Sequence, residues 1–176
     1  MHTPWGPSQE QRTIAPGLVS VSTAGHGGYH VSEERWQDIE RMFPSFKSFT
    51  GRYWLEEDCD WALAQLTWPA LFTPQHIFNA LRTARDRSDK CITERWLLSA
   101  HGRTVTTIAD AYAAKVAGHW EAGCMWAPID GHPKAWGVLL SREVNGERER
   151  RSVIFAAYPM QQFYNEAELN EATIQT

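Results

Sequence analysis

The dipeptide Asn145-Gly146 restricts this chain more than any other feature, because it joins two runs of strand-forming residues, 136–144 and 147–158. A two-residue link between antiparallel strands takes a type I′ turn with positive φ at both positions, which Asn-Gly tolerates well. The turn also fixes the register: Glu143 faces Arg148 and Arg142 faces Glu149, two cross-strand pairs of opposite charge. Farther out Val138 meets Val153 and Trp136 meets Phe155, so the apolar half of the hairpin predicts a core on one of its faces.

The rest of the chain mixes both element types. Residues 13–23 hold Leu18, Val19 and Val21 among small hydroxyl residues and read as a strand. Gly25-His26-Gly27-Gly28 reads as a turn, and Tyr29-His30-Val31 resumes the strand. Ser32 ahead of Glu33 and Glu34 starts a helix, which ends near Met42 before Pro44. After an extended Tyr53-Trp54, the spacing of Cys59, Ala62, Leu63 and Leu66 predicts a helix from Leu55 to Trp68, stopped by Pro69. Thr73-Pro74 opens another, with Ile77, Phe78 and Leu81 on one face and the charged stretch 82–90 as its solvated end or a loop. Trp96-Leu97-Leu98 reads as a short strand. Val105, Ile108, Ala109, Tyr112 and Val116 mark a helix over 104–117, closed by Gly118. Residues 119–133, rich in Gly, Pro and Trp, read as a packed loop, and Asn165 caps a short acidic helix over 166–172. Strands toward both ends with helices between predict an α+β fold: one domain, a mainly antiparallel sheet, helices packed on one face. Residues 1–12 read as an irregular arm, 13–164 as the globular domain and 165–176 as an acidic tail.

Composition narrows the classes. With 43% hydrophobic residues among 176, the chain has the apolar content that disordered acidic proteins lack. Seventeen Lys and Arg against 21 Asp and Glu leave a net charge of −4, which gives no overall positive field for nucleic acid. No run approaches the ~18 apolar residues of a membrane span, and MHTPWGPSQEQR has no apolar leader core, so a cytoplasmic protein without membrane partners is expected. Cys59, Cys91 and Cys124 form no CxxC pair and read as small apolar residues.

Chemistry concentrates in two places. His26 and His30 lie four apart around two glycines, and Glu56, Glu57, Asp58 and Asp60 form an acidic run. Imidazole with carboxylates suits a divalent cation or acid–base work, giving His26, His30, Glu56 and Asp60 as candidate ligands and His26, His30 and Glu57 as candidate catalytic groups. The competing reading makes the glycines a tight turn and the acids a helix start that favours negative charge. No P-loop, GxGxxG, GxSxG or HExxH occurs, and no cofactor is expected. Nine Trp spread along the chain supply candidate contact anchors, foremost Trp54, Trp126 and Trp136, with Arg148 and Arg150 on the hairpin as a local basic patch.

The stretches VSTAGHGGYHVSEER (21–35) and YWLEEDCDWA (53–62), with Trp5-Gly6-Pro7 and Ile14-Ala15-Pro16-Gly17, resemble an uncharacterised domain family of phage and plasmid proteins. The resemblance covers roughly the first half of the chain and implies a mobile-element protein working inside a bacterium; it implies no activity. The expected function is that of a non-enzymatic accessory protein binding a host or phage protein complex, such as an inhibitor of a CRISPR or restriction system. The alternative is a small metal-assisted hydrolase or nuclease built on His26, His30 and the Glu56–Asp60 carboxylates.

Overall fold

Where composition reads an irregular arm, the chain opens on a small ladder, β1 (His2–Thr3) with β2 (Gly6–Pro7). The Thr3 side chain closes it: its hydroxyl donates to the Gly6 carbonyl and accepts from the Trp5 N–H, and the residue is buried. The computed structural model describes residues 1–87, 90–126 and 134–174. Part of the predicted 82–90 segment, and 127–133 of the predicted loop, lie outside the described residues, as do the last two residues of the tail.

The segment read as one strand is two. Pro16-Gly17, with Gly17 at φ +72°, reverses the chain between β3 (Glu10–Ala15) and β4 (Leu18–Ser22). A second reversal at 23–26 leads into β5 (Gly27–Val31). Helix α1 (Glu33–Met42) has the bounds its cap predicts: the Ser32 hydroxyl accepts from the Arg35 N–H, and Trp36 and Ile39 are buried. Then comes the main departure. Trp54–Glu56 is strand β6, antiparallel to β5, with Glu56 opposite Gly28. The expected helix from Leu55 begins only at Trp61, as α2 (Trp61–Thr67). Pairing to β5 holds Leu55 and Glu56 extended, while the apolar spacing that suggested the longer helix is satisfied by Ala62, Leu63 and Leu66 alone, all fully buried.

Helix α3 (Pro74–Asp86) is capped by Thr73 and buries Ile77 and Leu81 as expected. Trp96-Leu97-Leu98 is not a strand but part of α4 (Glu94–Leu98), because Thr93 caps it by accepting from the Trp96 N–H. Helix α5 (Ala100–Lys115) starts four residues before the expected position 104 and ends two before 117.

After α5, the region read as loop contains β7 (Trp120–Trp126), which pairs with the expected hairpin, β8 (Trp136–Val144) and β9 (Glu147–Phe155). Asn145 at φ 55° and Gly146 at φ 82° make the type I′ turn, and all four expected cross-strand pairs are present. β10 (Phe163–Tyr164) and the capping box of α6 (Glu166–Ala172), built by Asn165 and Glu168, complete the chain.

The fold is α+β, and every strand pairing among the described residues is antiparallel. The strands form a β3-β4-β5-β6 sheet and a β10-β7-β8-β9 sheet beside the small N-terminal ladder. Contacts divide the chain into two compact units, Met1–Ala113 and Ala114–Thr176. The first has a core of Leu18, Val31, Trp36, Ile39, Leu63, Leu66 and their neighbours; the second is built on Trp120, Val138, Leu140, Phe155, Tyr164 and Leu169.

Candidate functional site

The β4–β5 turn positions His26. Its N–H donates to the Thr23 hydroxyl at 3.1 Å, and its carbonyl accepts from both the Thr23 N–H (2.7 Å) and the Thr23 hydroxyl (2.9 Å). The neighbouring strand β6 ends in Glu56, and the Glu57 N–H continues the ladder by donating to the Gly27 carbonyl at 3.1 Å. Sheet pairing therefore delivers two consecutive carboxylates to the end of the sheet that carries the imidazole. His26 Nδ1 lies 3.9 Å from Glu56 Oε1 and 3.8 Å from Glu57 Oε1.

These separations are too long for direct hydrogen bonds. They suit three ligands around one shared centre, and the three donor atoms all lie within 4.8 Å of one another. A divalent cation needs roughly 2.0–2.2 Å to each nitrogen or oxygen ligand, which a small inward movement of the side chains supplies. The environment is unusual for two carboxylates. The Glu56 side chain is only 8% exposed, its Oε2 accepts from the Asp58 N–H at 2.7 Å, and burial, with the adjacent Asp58 and Glu57 charges, pushes its pKa up. Among the described residues no Lys or Arg pairs with Glu56 or Glu57. A bound cation would remove this cost and polarise a water or a carbonyl oxygen at the exposed side, where His26 and Glu57 face solvent.

Two sequence candidates are not part of this group. His30 sits in the middle of β5 with its ring 4.6 Å from that of Trp54, and burial lowers its pKa, which favours the neutral ring. It belongs to an aromatic stack in which Trp54 also meets Trp5 edge-on at 5.6 Å. Asp60 is fully buried, 2.6 Å from the Arg87 guanidinium, and accepts from the Phe49 N–H at 3.1 Å; it anchors structure. His26 lies in the turn ahead of β5 whereas His30 lies within the strand, opposite Trp54, and the late start of α2 separates Asp60 from Glu57. Missed in the sequence is a pocket of about 330 Å³ between the sheet and α2, with Gly27, Tyr29, Glu57, Trp61 and Gln65 in its lining. Helical spacing from Trp61 to Gln65 was the signal available for it.

The other binding candidates are dispersed. Trp54 is half-buried in its stack, and Trp136 meets Tyr158 edge-on at 5.1 Å. Trp126 is 48% exposed and lies against Gly137, where a side chain would collide with its ring. Arg148 and Arg150 are exposed on β9, the edge strand of its sheet.

Residues 1–117 match a family described as a domain of unknown function, DUF7007. The chain belongs to the DUF7007 family. The DUF7007 match takes in the whole first unit, and with it His26, Glu56, Glu57 and the pocket beside them. No curated protein and no solved structure matches the chain. Among the described residues, no helix of this DUF7007 protein is long and apolar enough to cross a membrane.

Proposed function

We propose that the DUF7007 unit is a metal-assisted hydrolase whose divalent cation is held by His26, Glu56 and Glu57. The observation that carries this reading is the convergence of the three side chains with no Lys or Arg partner among the described residues, one carboxylate being almost wholly buried. One nitrogen and two carboxylate oxygens favour Zn²⁺ or Mn²⁺ over Mg²⁺, which prefers oxygen ligands and bound water. Calorimetric titration of metal-stripped protein with each ion should show one site per chain, lost in His26→Ala and in Glu56→Gln. Absence of a stoichiometric site in the wild type overturns the reading.

A second reading rests on Trp126. A half-exposed Trp next to exposed Met125, in a unit whose edge strand presents Arg148 and Arg150, supports an accessory protein of a phage or plasmid, acting in the bacterial cytoplasm by binding a host or phage protein complex of the CRISPR or restriction type. Capture of such a complex by the wild type, weakened more than tenfold in Trp126→Ala and unaffected by His26→Ala, is its expected result.

A further inference from the structure

The pocket that holds Glu57 has a neighbour of opposite charge. Arg12 in β3 lies opposite Ser20, and Ser20 lies opposite Tyr29, so the three share one face of the β3-β4-β5-β6 sheet. On that face Arg12, Tyr29, Thr73 and His76 line a second pocket of about 280 Å³, completed by the apolar side chains of Ile14, Leu71 and Phe72. Tyr29 is common to both pockets, but the first contains the Glu57 carboxylate and the second contains a guanidinium and no carboxylate.

The charge of this second lining defines its ligand. Arg12 makes no ion pair among the described residues. Burial, followed by the Arg12 charge, lowers the His76 pKa and favours the neutral ring, so Arg12 supplies a single positive charge. A guanidinium is a planar fork that fits a carboxylate bidentately, and one charge matches one carboxylate better than a phosphate monoester with its roughly two negative charges. Beside it the Thr73 hydroxyl, which accepts from the His76 N–H at 3.3 Å, keeps its own proton to donate. The rest of the wall is apolar: the Phe72 ring lies 6.0 Å from that of Tyr29 and 6.2 Å from that of His76, an aromatic row against which a small apolar body can pack. The volume suits a fragment below drug size.

We propose that this second pocket binds a small apolar carboxylate, its charged group on the Arg12 guanidinium and its body against Phe72. The inference rests on the hydrolase reading only in naming that molecule as the substrate; the preference for the charge stands apart from the cation. The test titrates metal-stripped protein, so that no probe can ligate a cation at His26, Glu56 and Glu57, and follows benzoate, benzamide, acetate and phenyl phosphate by ligand-observed NMR. Benzoate should bind in the millimolar range expected of so small a probe, at least fivefold more tightly than each of the other three. Arg12→Gln, a change on an exposed side chain, should abolish the preference over benzamide, and His26→Ala should leave it unchanged. Absence of benzoate binding, benzamide or acetate binding equally well, or an unchanged preference in Arg12→Gln overturns the proposal, and tighter binding of phenyl phosphate overturns the carboxylate assignment. Selective benzoate binding by a protein with no stoichiometric metal site refutes the hydrolase reading and leaves the pocket assignment intact; a metal site without benzoate selectivity does the reverse.

Discussion

The two four-stranded sheets use charge in opposite ways. In the β10-β7-β8-β9 sheet, carboxylates meet cations: Arg142 reaches Glu149 at 2.7 Å and Glu166 at 3.0 Å, Arg151 approaches Glu166 at 3.6 Å, and Trp120 Nε1–H donates to Glu166 at 2.8 Å. At the end of the β3-β4-β5-β6 sheet, Glu56 and Glu57 meet each other and an imidazole. The first arrangement pairs its charges within the chain; the second is the one on which the cation proposal rests. The same contrast exists a few residues away within the first unit, where Asp60 has Arg87 and Glu57 has no Lys or Arg partner among the described residues.

The largest test of this contrast is Asp60→Ala, which leaves Arg87 facing a lost partner in the interior and should cost about 3–5 kcal/mol in urea unfolding. Glu57→Ala should leave unfolding almost unchanged; equal costs would erase the distinction between the two acids. Next is Gly146→Val, which forces a β-branched residue to φ 82° in the hairpin turn and should destabilise by about 1–2 kcal/mol, read from the same denaturation curves.

Acid sharpens the comparison further, because the two sheets' key carboxylates have opposite shifts. Glu56 is raised by burial, so its ionised form costs stability at neutral pH, and that cost disappears as pH falls below the unfolded-state value. Glu56→Gln should therefore raise the Tm at pH 7 by about 2–4 °C and converge with the wild type in acid. Glu166 is lowered by the Trp120 N–H, then by the Arg142 and Arg151 charges, so its contribution is present above the ordinary carboxylate range and fades as pH drops through its folded value. Glu166→Gln should lower the Tm at pH 7 by only about 1 °C, with no difference in strong acid, since the side chain is half exposed. Thermal scans of both variants across pH check the signs.

What could be read from the sequence follows how local each signal is. The Asn145-Gly146 turn, the Ser32, Thr73 and Asn165 caps and the buried Leu63 and Leu66 rest on neighbours within a few positions, and they are where the residues place them. The misread elements depend on distant partners. Leu55 and Glu56 are extended because β5 pairs with them, and 120–126 is a strand, despite Gly123 and a register shift between Ala122 and Met125, because β8 pairs with it. The site divides in the same way. His26 with the acidic run was visible as composition, but which acids reach the ring depended on where the helix starts, and the Gln65–Tyr29 wall joins residues 36 apart.

Gly27 and Gly28 are where the first sheet is only a backbone thick. A methyl group at 27 would meet the movable end of Glu57, at 2.6 Å, whereas one at 28 would meet the Leu55 carbonyl at 2.1 Å and the Trp5 ring at 2.8 Å. Adjacent positions thus carry different kinds of information. Gly27→Ala chiefly displaces the Glu57 carboxylate, with the Val21 carbonyl at 3.2 Å having to give by a few tenths of an ångström, so it reports on that side chain; Gly28→Ala breaks the approach of β6 and the Trp5 ring, so it reports on folding. In a mutational survey these neighbours would separate into different phenotypes, normal abundance for one and loss of protein for the other.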